Sequence, residues 1–236
     1  MQKTQLFLIP FAGGNCYSFN FLIPYLKDYE VISLELPGRG RRIKESLLTE
    51  FDHAAEDVFQ QITSKLTSPF FIIYGHSLGT GLGLRVANML EKINRPPAYL
   101  VFTGNPGPGV RENRRLYLYE KFEFMDEIKK MGGLPDELRA NTEFMDFIEP
   151  VFRSDFELAE RNLLDEEQAV NIPIYSIMGD LEKSSVDIAN WKRFTKKKFH
   201  SEILSGDHFF IYNHPERIAN ILQQCIENTR ELECKA

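Results

Sequence analysis

A serine stands between two glycines in Gly75-His76-Ser77-Leu78-Gly79, directly after the apolar run Phe70-Phe71-Ile72-Ile73-Tyr74 and directly before a helical pattern. Strand, sharp turn, helix is the setting in which Gly-x-Ser-x-Gly lifts a hydroxyl clear of a sheet edge. The glycines have no Cβ, so strand and helix can approach closely, and Ser77 is expected in a strained backbone conformation. A serine hydroxyl is a weak nucleophile at neutral pH. It needs a base within hydrogen-bond reach, and the base needs a partner that fixes its tautomer.

The chain supplies both in a usable order. His208 follows the last strand pattern on the loop Ser205-Gly206-Asp207-His208. The other four histidines fit less well. His53 lies inside a helical pattern, His200 inside a strand and His214 at the start of the last helix, while His76 faces away from the hydroxyl beside it. The acid must come from the loop after the preceding strand, Gly179-Asp180-Leu181-Glu182. Gly-x-x-acid spacing selects Glu182, which can replace Asp in this role. Asp180 is nearer the strand end and is the shorter, commoner choice, which tips the expectation to Asp180. Negative charge developing on a carbonyl oxygen needs two backbone N–H donors. Leu78 N–H, at a helix start, is one, and the loop Phe11-Ala12-Gly13-Gly14 suits the other. Loss of one such donor typically costs about 3–4 kcal/mol of transition-state stabilisation.

The elements that must position these groups follow from periodicity. Strands are expected at 4–9, 31–36, 70–74, 99–103, 172–178 and 199–204. Helical spacing covers 17–27, 49–66 (with Thr49-x-x-Asp52 as a weak cap signal), 77–90, 186–195 and a last helix opened by Pro215. Strand–helix alternation at this spacing gives a mostly parallel central sheet with right-handed crossovers and helices on both faces. Ser, acid and His then all follow carboxyl ends of strands in α/β-hydrolase order. From 111 to 171 the strand signals stop and two helical stretches, 116–131 and 136–164, flank Gly132-Gly133-Leu134-Pro135. This insertion is expected to form a helical lid over the strand ends.

Bulk properties narrow the partners. The 236 residues suffice for one α/β domain over 1–236, and the net charge of −6 argues against nucleic acid. No apolar span reaches membrane length, and the N-terminus runs straight into a strand pattern, so neither a membrane span nor a signal peptide is expected. Cys16, Cys225 and Cys234 form no metal or disulfide pattern, which suggests a reducing cytoplasm. Arg39, Arg41 and Arg42 invite a phosphate site, but a solvated positive loop is the expectation.

Taken together, Pro10-x-Ala12-Gly13-Gly14, Pro37-Gly38-Arg39-Gly40-x-Arg42, the Ser77 pentapeptide, Gly132-Gly133-x-Pro135, Arg153-x-Asp155, Pro173-Ile174, Trp191 and Gly206-x-His208-Phe209-Phe210 stand in the order of a known family. The chain resembles, over nearly its whole length, the type II (editing) thioesterases of nonribosomal peptide and polyketide synthesis. The resemblance implies an α/β-hydrolase that hydrolyses acyl thioesters on the phosphopantetheine arm of carrier proteins, with no cofactor of its own; a monomer is expected. It implies Ser77 as nucleophile, His208 as base, and Ala12 with Leu78 as oxyanion donors. Phe11, Phe122, Met125 and Phe209 are expected to face the acyl chain, although Phe122, Met125 and the other apolar residues of the insertion serve a helical core equally well. Leu78 stands where the family usually has Met, Asp207 where it has Gly, and Glu182 where it has Asp, so Asp180 and Glu182 both remain candidates. A carboxylesterase, lipase or acyl-CoA thioesterase would use the same groups. A carrier-binding module without activity would have no need of them.

Overall fold

The computed structural model describes residues 3–110, 114–132, 136–161 and 167–233. Its frame is a six-stranded sheet in the order β2-β1-β3-β4-β5-β6, formed by β1 (Thr4–Ile9), β2 (Tyr29–Ser33), β3 (Phe71–His76), β4 (Tyr99–Thr103), β5 (Ile174–Gly179) and β6 (Phe199–Leu204). Every neighbouring pair is parallel. Alternate residues of the central strands therefore enter two cores. Phe7, Ile9, Phe71, Ile73, Leu100 and Phe102 join α1 (Phe51–Lys65) and α2 (Leu78–Lys92) on one face. Leu6, Leu8, Ile72, Tyr74, Tyr99 and Val101 pack on the other, against α6 (Pro215–Glu233) and residues of the 19–26 segment. Strands buried on both faces read as continuous apolar runs, which is why they were legible.

The chain steps from β1 outward to β2 and then crosses back to place β3 on the other side of β1. That reversal leaves a crevice outside the carboxyl ends of β1 and β3, the usual ligand position of an open parallel sheet. Ile9 lies opposite Gly75 there, so the loop after β1 and the turn after β3 leave the sheet side by side.

Several element boundaries differ from the periodicity. The expected helix over 17–27 is a series of turns with one 3-10 turn, Ile23–Tyr25. Asn15 Oδ1 accepts from Tyr17 N–H, Ser18 Oγ accepts from Asn15 N–H, and Pro24 has no N–H to give. Such local side-chain bonds compete with the helix. The strand expected at 31–36 ends at Ser33. Glu50, with no side-chain capping bond, holds the N-cap position of α1, so Thr49 does not cap it. The 186–195 helix is a 3-10 run, Lys183–Phe194.

The insertion between β4 and β5 holds a 3-10 turn (Leu116–Leu118), α3 (Lys121–Met131), α4 (Asp136–Ala140) and α5 (Thr142–Arg161). Each of the two expected helices is thus divided. Leu116, Phe124, Met125, Ile128, Met145 and Phe152 form a cluster of the insertion's own. The second half of α5 reaches the main body, where Asp155 and Leu158 are fully buried. Arg111, Gly133, Leu134, Pro135, the 162–164 end of the second expected helix, and Cys234 lie outside the described residues. Among the described residues no helix is long and apolar enough to cross a membrane.

Candidate active site

The turn after β3 is built by close approach. A Cβ on Gly75 would lie 2.4 Å from the Gly79 carbonyl oxygen, and one on Gly79 would lie 2.2 Å from that of Ile9. Only glycine fits at either position. Between them Ser77 adopts φ 53° and ψ −115°, a region that side chains rarely enter. Its backbone is held by Ser77 N–H to Thr103 O at 2.9 Å and by Thr80 N–H and Oγ1 to Ser77 O at 3.0 and 2.7 Å. Among the described residues Ser77 Oγ makes no hydrogen bond. In sites without substrate the nucleophile–base bond is often long and tightens when the substrate binds.

Ser77 and His208 line one cavity of about 860 Å³ at the carboxyl ends of the strands. His208 Nδ1 lies 2.8 Å from Glu182 Oε2. Glu182 is 9% exposed and His208 30%. The second oxygen of Glu182 accepts Gly179 N–H at 2.8 Å, so its carboxylate is fixed at both ends. This pairing places the imidazole proton on Nδ1 and leaves the Nε2 lone pair free to accept.

The preference for Asp180 is corrected by this geometry. Asp180 Oδ1 accepts Gly206 N–H at 2.8 Å and ties the β5 loop to the β6 loop. Asp180 N–H to Leu204 O at 2.8 Å and Leu181 N–H to Gly206 O at 3.0 Å complete that seam. The residue nearest the strand end is spent on joining two loops. The tight turn from Gly179 brings the longer Glu182 side chain back over the strand end, with Glu182 N–H to Gly179 O at 3.2 Å.

His76 does not point away from the site altogether. It is fully buried behind His208, ring centroids 5.0 Å apart, with Nδ1 2.9 Å from Thr103 Oγ1. Burial, reinforced by the nearby His208, pushes the His76 pKa well below its ordinary value, so this ring is neutral.

The loop after β1 has a selective pattern of bonds. Gly13 N–H donates to Asp155 Oδ2 at 2.7 Å and Gly14 N–H to Phe11 O at 2.8 Å. Among the described residues Ala12 N–H has no protein acceptor. Leu78 N–H opens α2 and is one of the donors a helix start leaves unpaired. Ala12 lines the cavity beside Ser77.

Phe11 and Phe209 line the cavity, their rings 5.1 Å apart. Phe122 and Met125 do not, and the expectation for these two is corrected. Phe122 is 85% exposed on the outer side of α3, and Met125 is buried in the insertion's own cluster. Ile128 and Met131 of α3 and Phe152 and Phe156 of α5 supply the apolar wall instead. The i, i+4 spacing of Phe152 and Phe156 was the available signal for these two. Arg39 and Asp155 each stand in a family motif, but neither motif marks the two as partners. Arg39 was expected in solvent, yet it is 5% exposed and grips Asp155 in a two-pronged ion pair, with Nη2 to Oδ1 at 2.8 Å. Removing one member of such a pair costs about 3–5 kcal/mol, because the other is left charged and buried. Arg42 is likewise engaged, by Asp57 and Glu45. Arg41 is the exposed one of the three, against the Tyr17 ring.

Comparison with known proteins extends over nearly the whole chain. The family model for the thioesterase domain matches residues 4–226. The gramicidin S biosynthesis protein GrsT of Aneurinibacillus migulanus is 29% identical over 217 residues, covering 89% of this chain and 84% of that protein. The thioesterase PikA5 of Streptomyces venezuelae is 26% identical, covering 96% of this chain and 82% of its own. Among solved structures, ClbQ from the colibactin NRPS/PKS pathway superposes with a TM-score of 0.90 at 26% identity, over 98% of this chain and all of that one.

Proposed function

The chain belongs to the thioesterase-domain family, and from that premise we propose that it hydrolyses acyl thioesters through an acyl-enzyme on Ser77. One observation carries the reading: the His208–Glu182 pair opens onto the same cavity as Ser77, which sits strained at the turn after β3. Ser77 Oγ attacks the thioester carbonyl and its proton passes to His208 Nε2. The resulting oxyanion is held by the Ala12 and Leu78 N–H groups. His208 returns the proton to the departing thiol. Water, deprotonated by the same nitrogen, then attacks the acyl-Ser77 ester, and the acid leaves with Ser77 restored. Glu182 accepts the hydrogen bond from His208 Nδ1–H throughout.

The substrate is an acyl group on the phosphopantetheine arm of a carrier protein, in editing or release during nonribosomal peptide or polyketide synthesis. GrsT and ClbQ, named for such pathways, support this partner. The helices of 114–161 act as a lid, since α3 and α5 supply the apolar wall on which an acyl chain would lie. The expected result is a kcat/KM for acyl-loaded carrier protein at least about tenfold above that for the same acyl group on coenzyme A, and further above that for its simple oxygen ester. A preference for the oxygen ester would overturn the thioesterase assignment. Equal rates on carrier and coenzyme A would remove the carrier from the account.

A further inference from the structure

We propose that Asp155 is a positioning residue for the oxyanion loop, and that through it helix α5 sets where the Ala12 N–H points. The inference rests on the functional reading above, which makes Ala12 N–H an oxyanion donor. Four consecutive N–H groups after Ala12 are already committed: Gly13 to Asp155 Oδ2 at 2.7 Å, Gly14 to Phe11 O at 2.8 Å, Asn15 to Ser18 Oγ at 2.8 Å and Cys16 to Glu35 Oε2 at 3.1 Å. Three of these anchors lie within the loop or the neighbouring β2 loop. The Asp155 bond is the one that reaches the insertion.

Asp155 is shaped for that task. It is fully buried, and Arg39 takes both of its oxygens, which fixes the carboxylate plane. Oδ2 therefore faces Gly13 with no rotational freedom to leave it. One turn away on the same helix, Phe152 packs against Gly13. A Cβ there would lie 2.2 Å from Phe152 Cε1, and Gly13 has φ +76°. Helix α5 thus meets the loop through a hydrogen bond and a ring at the same residue. Phe152 and Phe156 also line the cavity, so an acyl chain that displaces them acts on the helix that orients the loop. Chain fit and oxyanion geometry share one rigid element.

A single substitution at Arg39 or Asp155 would strand a buried charge, so the test uses two double variants. Arg39→Met with Asp155→Leu removes the ion pair and the acceptor for Gly13 N–H. Arg39→Met with Asp155→Asn removes the ion pair and keeps an oxygen acceptor. The leucine variant is expected to lose about 10- to 100-fold in kcat with KM within about threefold, and to lose affinity for an acyl trifluoromethyl ketone, whose adduct on Ser77 carries an oxyanion, in parallel. The asparagine variant is expected to recover most of both. A folded leucine variant that keeps kcat within threefold, or that loses kcat with ketone affinity unchanged, overturns the inference. So does an asparagine variant no better than the leucine one. Should the leucine variant not fold, amide exchange in the wild type decides: the Gly13 N–H must be protected, and exchange at the rate of an open loop overturns the inference. A wild type without thioesterase activity would instead sink the functional reading itself.

Discussion

Ser77→Ala should lower kcat for an acyl-loaded carrier protein by about 10⁵- to 10⁶-fold, the loss typical of deleting a nucleophile from a group that acts as a unit. The fold should not notice the change. Every hydrogen bond that holds residue 77 is made by its backbone, to Thr103 O and from Thr80. Alanine bears the same strain at φ 53° as serine, since both carry a Cβ. The hydroxyl leaves no orphaned partner among the described residues. The melting temperature is therefore expected within about 2 °C of the wild type, less than a 1 kcal/mol change would produce in a chain of this size. Residual turnover near the wild-type rate would mean that another group carries the acyl chain.

Glu182→Gln is expected to cost about 10³- to 10⁴-fold in kcat, and Asp180→Asn less than about threefold. The reason for the first lies in two hydrogen bonds. Gly179 N–H must keep an acceptor, so the glutamine oxygen stays where Oε1 now is, 2.8 Å from that nitrogen. The glutamine NH₂ then faces His208 Nδ1, where the carboxylate oxygen stood at 2.8 Å. A donor there forces the imidazole proton onto Nε2, and that nitrogen can no longer accept the proton of Ser77. Asparagine at 180 retains the oxygen that accepts Gly206 N–H, so the seam between the two loops survives. Comparing both variants for kcat on one carrier substrate checks the assignment. A larger loss at 180 than at 182 would reverse it.

Much of the frame could be read from residue types in order. β1, β3 and β4 are largely apolar runs with turn residues at their ends, and Gly75 and Gly79 announce a turn that no other residue fits. His208 stands out because it alone follows the last strand on a glycine loop. Other features depend on distances that spacing along the chain does not encode. The acid depends on how the Gly179–Glu182 turn folds back: the shorter path along the chain favours Asp180, but the Gly206 N–H occupies the Asp180 carboxylate. Arg39 and Asp155 are 116 residues apart, and nothing in either neighbourhood marks a buried pair. Phe122 and Met125 belong to a helix whose apolar residues serve two masters, the insertion's own core and the cavity. Only the orientation of α3 separates Met125, inside that core, from Met131 at the cavity.

All of the proposed chemistry begins with the reactivity of the Ser77 hydroxyl. Titration with an alkyl fluorophosphonate, followed by intact mass and peptide mapping, reads it directly. One phosphonyl group per chain is expected, located on Ser77, with thioester hydrolysis lost in proportion to labelling. Label on another residue, or full hydrolysis by protein phosphonylated at Ser77, would contradict it.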